Sequence, residues 1–434
     1  MRKWIPLNIS VNINIERNLS ALATKEEYAV ILTNRFKSES GFYKNFSTTK
    51  LLAGIGSVET VECKRENIAT KISKDDWYMG FFSYDMIFDN KKRKKSSNEI
   101  CFPPLLFFRP KWLIQEENGK LMLGYDKNIT QQERELFILE LTADQNKHTT
   151  TKKEENKLRN SKLLECEVTE KEYISTVNKI KKDIQRGDIY ELNYCIEFSG
   201  KNRSIDPASC FENLQKISPM PFSAFIKCKQ NYALSASPER YLTKKGDQIV
   251  SMPMKGTAAR GDNKISDKKN RKKLEESLKE RAENVMITDL VRNDLSQIAQ
   301  KGSVKTEELC KSYKFPGVFQ MVSTISAKLK ENKNWYNAIE ATFPMGSMTG
   351  APKPNAIKLI DKYEKKDRAL FSGAAGYITP NKDFDFNVMI RTLFYNQQNQ
   401  KISYFAGSAI TALSDAKEEY KECFLKAETV KKIL

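Results

Sequence analysis

The stretch that most limits the fold is SAFIKCKQNYALSASPERYLTKKGDQIVSMPMKG, residues 223–256. Short strand-like runs follow one another there with only tight polar breaks between them. Connections that short join antiparallel strands, because a parallel crossover needs about a dozen residues or more. Three more such runs, ALFSGAAGYITP, FDFNVMIRTLFY and KISYFAGSAIT, stand near the carboxyl end, and IYELNYCIEF reads as another. Helices are expected between them. Thr169 is a cap candidate ahead of Tyr173, Ile174, Val177, Ile180 and Ile184 at helical spacing, with Gly187 as the stop. DKKNRKKLEESLKERAENVMITDLVRNDLSQIA reads as one long helix with Leu274, Leu278, Ala282 and Val285 on its buried stripe. Asp415 and Glu418 open a terminal helix. The pattern is α+β, with sheets dominated by antiparallel pairs.

Residues 1–143 carry weaker strand signals in LLAGIGSVETVE and WYMGFFSYDM. Residues 144–162 are polar and linker-like, and residues 163–434 are denser in pattern. No apolar run approaches the ~20 residues that span a bilayer. The start MRKWIPLNIS lacks an apolar signal core, so no membrane partner and a cytoplasmic location are expected. The 8 cysteines form no CxxC and read as reduced thiols. The net charge of +18 has three readings: a lysine-rich background, a nucleic-acid surface, or a field that draws in a small anion. The lysines are scattered, which favours the first and makes nucleic acid an unexpected partner.

The single histidine, His148, lies in the linker-like stretch. Serine–histidine or cysteine–histidine catalysis and histidine-ligated zinc are therefore not expected. Proton transfer falls to carboxylates, lysine, tyrosine or metal-bound water. The most suggestive pair is Glu239 and Lys255. A hairpin with a three-residue loop at 246–248 would set Lys245 opposite Ile249, Thr243 opposite Ser251 and Glu239 opposite Lys255. A two-residue loop would shift that register, and a cross-strand salt bridge is the plainer explanation of such a pair. A lysine among Met252, Pro253 and Met254 is expected to be desolvated, with a lowered pKa and a nucleophilic amine.

Several longer motifs occur in order: SPERYL, MPMKGTAARG, ENVMITDLVRNDL, FPMGSMTGAPKPNAIKLI, GAAGYI, VMIRTLFY, YFAGSAI and EEYKECFLKA. Together they resemble the chorismate-utilising enzymes, which include anthranilate, aminodeoxychorismate, isochorismate and salicylate synthases. The resemblance covers about residues 165–434, with weaker similarity before it. It implies an anthranilate synthase component I-like fold, with two stacked antiparallel sheets and helices outside. The lysine in MPMKGT resembles the para-directed, aminating branch, aminodeoxychorismate synthase component I. The position of a water-activating lysine in the isochorismate-forming branch matches Glu191 here.

The resemblance implies that Lys255 attacks the chorismate ring while Glu239 protonates the leaving hydroxyl. Ammonia from a glutamine amidotransferase subunit then displaces the lysine, giving 4-amino-4-deoxychorismate for 4-aminobenzoate and folate. It assigns a Mg²⁺ to Glu283, Glu419 and Glu422. It assigns substrate contacts to Thr257, Gln320, Thr349, Gly350 and Lys353, to Tyr377 and Arg391 as a carboxylate-binding pair, and to Gly407, Ser408 and Ala409 as a glycine-rich turn. Gln320 replaces the family's usual histidine and Ala409 a commoner glycine. Some relatives bind tryptophan in a region that Ser218–Ser223 resembles. The alternatives are anthranilate synthase component I, against which Lys255 and Gln320 argue, and a basic nucleic-acid-binding protein.

Overall fold

The computed structural model describes residues 2–7, 9, 13–36, 50–63, 65–72, 74–88, 100–117, 119–143 and 164–434. The polar segment 144–162, with His148, lies outside the described residues. Helix α1 (Glu170–Gln185) starts where expected, its Thr169 cap and Glu172 forming a reciprocal box. Strand β1 (Glu191–Gly200) follows, then β2 (Phe222–Cys228), β3 (Arg240–Lys245), β4 (Gln248–Met252) and β5 (Met254–Ala259). Helices α2 (Lys264–Glu276) and α3 (Leu278–Ser296) come next. They precede β6 (Val318–Lys328), the short β7 (Gly350–Ala351) and α4 (Lys353–Tyr363). Strands β8 (Ala374–Ile378), β9 (Phe384–Val388) and β10 (Lys401–Ile410) lead to the terminal helix α5 (Ala416–Lys431).

Every strand pair among the described residues is antiparallel, the hairpins because their connections are short and the long-range pairs as well. The amino-terminal strands join the same hydrogen-bonded network: Tyr28–Thr33 pairs with β2, and Tyr78–Phe82 with β8. Apolar side chains gather in two large clusters. One holds Leu192, Tyr194 and Ile196 of β1 against the carboxyl-terminal helix. The other packs Phe82, Phe107 and Phe386 edge to face.

Two local expectations are corrected. The long helix is broken at Ser277, whose extended backbone and hydroxyl cap Glu280 and start α3 afresh. The break re-phases the buried stripe. Leu278 is 85% exposed, and Ile287, Val291 and Leu295 face the core instead.

The hairpin is also different. Lys245 pairs with Gln248 and Lys244 with Ile249, so the loop is only Gly246-Asp247. Gly246 takes φ +60 in its first position, where a side chain would be strained. Pro253 has no amide to continue the ladder. Strand β4 therefore ends at Met252, and β5 starts afresh against β6. Glu239 and Lys255 are not cross-strand partners.

Candidate active site

Glu239 and Lys255 still meet, by another route. Strand β5 pairs with β6 at Met254↔Val322 and Thr257↔Gln320, so Lys255 and Gly256 together oppose Met321 alone. This is a β-bulge, which re-aims a side chain. Gly256 accepts it at φ +96, and a Cβ there would stand 3.1 Å from Glu280 Oε2. The Asn284 amide of α3 donates to the Lys255 carbonyl at 3.0 Å and to the Met321 carbonyl at 3.2 Å, pinning both sides of the bulge.

So turned, the Lys255 ammonium enters a cluster of acids. Its Nζ lies 2.8 Å from Glu191 Oε1, with side chains 10% and 0% exposed. Burial works against the lysine charge. The carboxylates of Glu191, Glu283 and Glu239 outweigh it and hold Lys255 above its ordinary value. The expected lowering is thus overturned: desolvation at the apolar strand end is outweighed where several carboxylates converge.

Glu239 follows Ser237 and Pro238 in the turn into β3 and is 4% exposed. Burial pushes its carboxyl up to about 7, against the lowering influence of Ser347, the Met254 amide, Lys255 and Arg391. The Ser347 hydroxyl faces this carboxylate without a well-formed hydrogen bond. A carboxyl near 7 can carry a proton at neutral pH and give it up. Arg391 has φ +51, and burial holds its guanidinium below the ordinary value while Tyr404 and Glu239 favour the charge.

On α3, Glu283 Oε1 is buried with no hydrogen-bond donor. Burial raises its carboxyl to about 7, with Lys255 opposing and Glu191 and Glu280 adding to the rise. Glu280 is raised too, first by burial and further by Glu422 of α5. Glu419 is buried, whereas Glu422 is exposed and paired with Lys426 at 2.7 Å. The assigned trio therefore does not form a ready-made metal cluster among the described residues. Glu283 Oε1 lies 4.0 Å from Lys279 Nζ, and Glu422 is held by Lys426. The donor chemistry, a buried Glu283 oxygen that accepts no hydrogen bond and stands among further acids, still fits a hard cation.

Other assigned residues have different partners. Lys353 is committed to Asp294 Oδ2 at 2.5 Å and the Thr342 carbonyl at 2.9 Å, so it braces α4 against α3. The Thr349 hydroxyl donates to the Met345 carbonyl at 3.1 Å inside its own loop. Gly350 pairs with Leu192, bringing that loop onto β1. Thr257 donates to Gln320 Oε1 at 3.1 Å across β5 and β6.

Gly407, Ser408 and Ala409 lie within β10 opposite Cys195, Tyr194 and Asn193, not in a turn. A Cβ on Gly407 would meet Cys195 Sγ at 2.4 Å, so that glycine serves strand packing. Tyr377 does not join Arg391 beside Glu239. It stacks at 5.5 Å on Trp77 and lines a separate cavity with Pro221, Phe222 and Asn387. The resemblance grouped the two; Tyr377 stands within β8 opposite Asp385, whereas Arg391 lies past the end of β9.

Two acids beside Lys255 were missed as site residues. Glu280 precedes Glu283 by three, a helical-face spacing that the sequence displays. Glu191 is marked in the sequence only as the match to the isochorismate branch's lysine, and nothing local announces its burial beneath the distant β7.

The chain belongs to the chorismate binding enzyme family, whose pattern matches residues 18–432. It is 38% identical over 267 residues to aminodeoxychorismate synthase component 1 of Escherichia coli (strain K12), covering 62% of this chain and 58% of that protein. It is 30% identical over 369 residues to the component 1 of Bacillus subtilis (strain 168), covering 82% and 76%. The match thus spans less than two thirds of the Escherichia coli relative. Among solved structures, the menaquinone-specific isochorismate synthase of Escherichia coli superposes with TM-score 0.76 at 16% identity, over 100% of this chain and 94% of that one. Anthranilate synthase component I of Streptococcus pneumoniae TIGR4 superposes with TM-score 0.69 at 24% identity, over 81% and 80%. These likenesses show the anthranilate synthase component I-like fold.

Proposed function

We propose that this chain aminates chorismate at the para position, as the component I of an aminodeoxychorismate synthase. The observation that carries the reading is the Lys255 amine, aimed by a bulge into a buried site beside a Glu239 carboxyl held near 7. An amine nucleophile and a protonated acid are the two groups that a stepwise displacement of a ring hydroxyl requires. Similarity to component 1 proteins from two bacteria supports the same reading.

In this scheme Lys255 passes a proton to a neighbouring carboxylate and bonds through Nζ to ring carbon C2. Both ring double bonds shift, from C1=C2 and C5=C6 to C1=C6 and C4=C5, the C4–O bond breaks, and the Glu239 proton leaves with the hydroxyl as water. Ammonia then bonds to C4 while the lysine nitrogen departs, and the product is 4-amino-4-deoxychorismate. Two moderate steps replace one difficult displacement. Arg391, whose guanidinium makes no hydrogen bond or ion pair among the described residues while its carbonyl accepts from the Ala236 amide at 3.1 Å, is suited to a substrate carboxylate. Glu283, Glu419 and Glu422 would hold Mg²⁺, which when bound supplies positive charge to a carboxylate of the dianionic substrate. The ammonia is proposed to come from a separate glutaminase subunit, because the lone His148 offers no cysteine–histidine pair for that chemistry.

Incubating the protein with chorismate, ammonium and Mg²⁺, then identifying the product by mass and chromatography, tests the reading. 4-Amino-4-deoxychorismate is expected. Anthranilate would assign the chain to the ortho branch, and unconsumed chorismate would contradict both.

A further inference from the structure

We infer that Glu191 is the positioning residue for the Lys255 amine, holding it at one point between β1 and the bulge of β5. The inference rests on the chorismate-aminating reading above and extends it to a residue outside the assigned set.

The geometry constrains both ends of the pair. Glu191 is paired in sheet register with Ala351, and the neighbouring Tyr190 amide donates to the Ala351 carbonyl at 2.7 Å. Gly350 packs so tightly there that a Cβ would stand 2.1 Å from the Glu191 carbonyl oxygen. The Glu191 backbone cannot withdraw from the site without breaking this contact. On the other side, Lys255 is fixed at its backbone by the bulge and by Asn284.

Between these backbone anchors only the two side chains can move, and the lysine stem has the more rotamers. A fully buried carboxylate is costly without a cation. Glu191 is 0% exposed, and among the described residues neither of its oxygens has a well-aligned hydrogen-bond donor. Lys255 Nζ at 2.8 Å is the cation that answers it. Glu239 and Glu283 also attract the ammonium. With Glu191 neutralised, the amine has no reason to keep its place and is drawn toward those acids.

The test compares wild type, Glu191→Gln and Glu191→Asp. It reads kcat and KM for chorismate with ammonium. It also reads the rate at which a covalent Lys255 adduct forms with chorismate alone, followed by peptide mass spectrometry. Glu191→Gln should lose on the order of 10²-fold in kcat, the scale of a small misplacement of a reacting group. Its adduct should form correspondingly slowly while KM for chorismate stays near wild type, and Glu191→Asp should be intermediate. Wild-type kcat and adduct rate in a folded Glu191→Gln protein would overturn the inference, as would a loss confined to KM.

Should Glu191→Gln fail to fold, Glu191→Asp carries the test. Its retracted carboxylate should lower kcat at unchanged KM, and a wild-type kcat would overturn the proposal. Wild-type protein that makes no aminated product would instead overturn the chorismate reading itself. That result is distinct from a variant as active as wild type.

Discussion

The Lys255 ammonium and the Glu191 carboxylate form an ion pair 2.8 Å long in which the acid has no exposure to solvent. Two strands that pair with different neighbours, β1 with β10 and β5 with β6, each contribute one partner. The amine that attacks in the proposed scheme therefore rests protonated, held by acids on more than one side. Its chemistry depends on where those acids and their protons are.

The first consequence is a pH limb. Glu239 must carry a proton to act as the acid, and burial sets its carboxyl at about 7. kcat should fall as pH rises through about 7, and Glu239→Gln should remove that limb while lowering kcat about 10²–10⁴-fold. A pH–rate profile of both proteins checks this.

The same group makes a stability prediction of definite sign. Its folded value of about 7 lies above its ordinary 4.5. Between those values the unfolded chain has released a proton that the fold still holds. The contribution of Glu239 is thus full below about 4.5 and is lost as pH rises through about 7. Glu239→Gln should match wild type at low pH and exceed it above pH 7 by at most about 3 kcal/mol. Urea denaturation across that range measures the difference.

The bulge can be disturbed without touching a charged group. Gly256 sits at φ +96 with Glu280 Oε2 3.1 Å and Met321 Cβ 3.2 Å from where a Cβ would stand. Gly256→Ala should cost about 1–2 kcal/mol and lower kcat by displacing Lys255. Thermal melts and kinetics on one preparation test both effects.

Away from the site, Arg240 makes two 2.9 Å contacts with Asp385, both buried. Asp385→Ala leaves a buried guanidinium without that partner and should destabilise by about 3–5 kcal/mol in chemical denaturation.

Much of this molecule is legible in its sequence, for identifiable reasons. The antiparallel sheet follows from strands joined by connections too short to cross over, and Thr169 caps α1 as its spacing with Glu172 implies. Pro253 and Ser277 were also in view, yet the hairpin and the long helix were read through them. Each wins locally, the proline by lacking an amide and the serine by capping Glu280. The Lys255–Glu239 neighbourhood was expected from a register that does not exist, and it arises instead from a bulge and a re-entrant strand. Glu191 could not be read locally, because its burial is created by a loop far along the chain folding onto β1. Tyr377 and Arg391 are grouped by resemblance, yet Tyr377 stacks on Trp77 while Arg391 lies beside Glu239.

The central claim is that Lys255 is the covalent nucleophile, and the most direct measurement is para-amination of chorismate by folded Lys255→Ala protein with ammonium as the nitrogen source. A fall in kcat on the order of 10⁴-fold or more is predicted, the scale seen when a covalent nucleophile is removed. 4-Amino-4-deoxychorismate formed at the wild-type rate would contradict it.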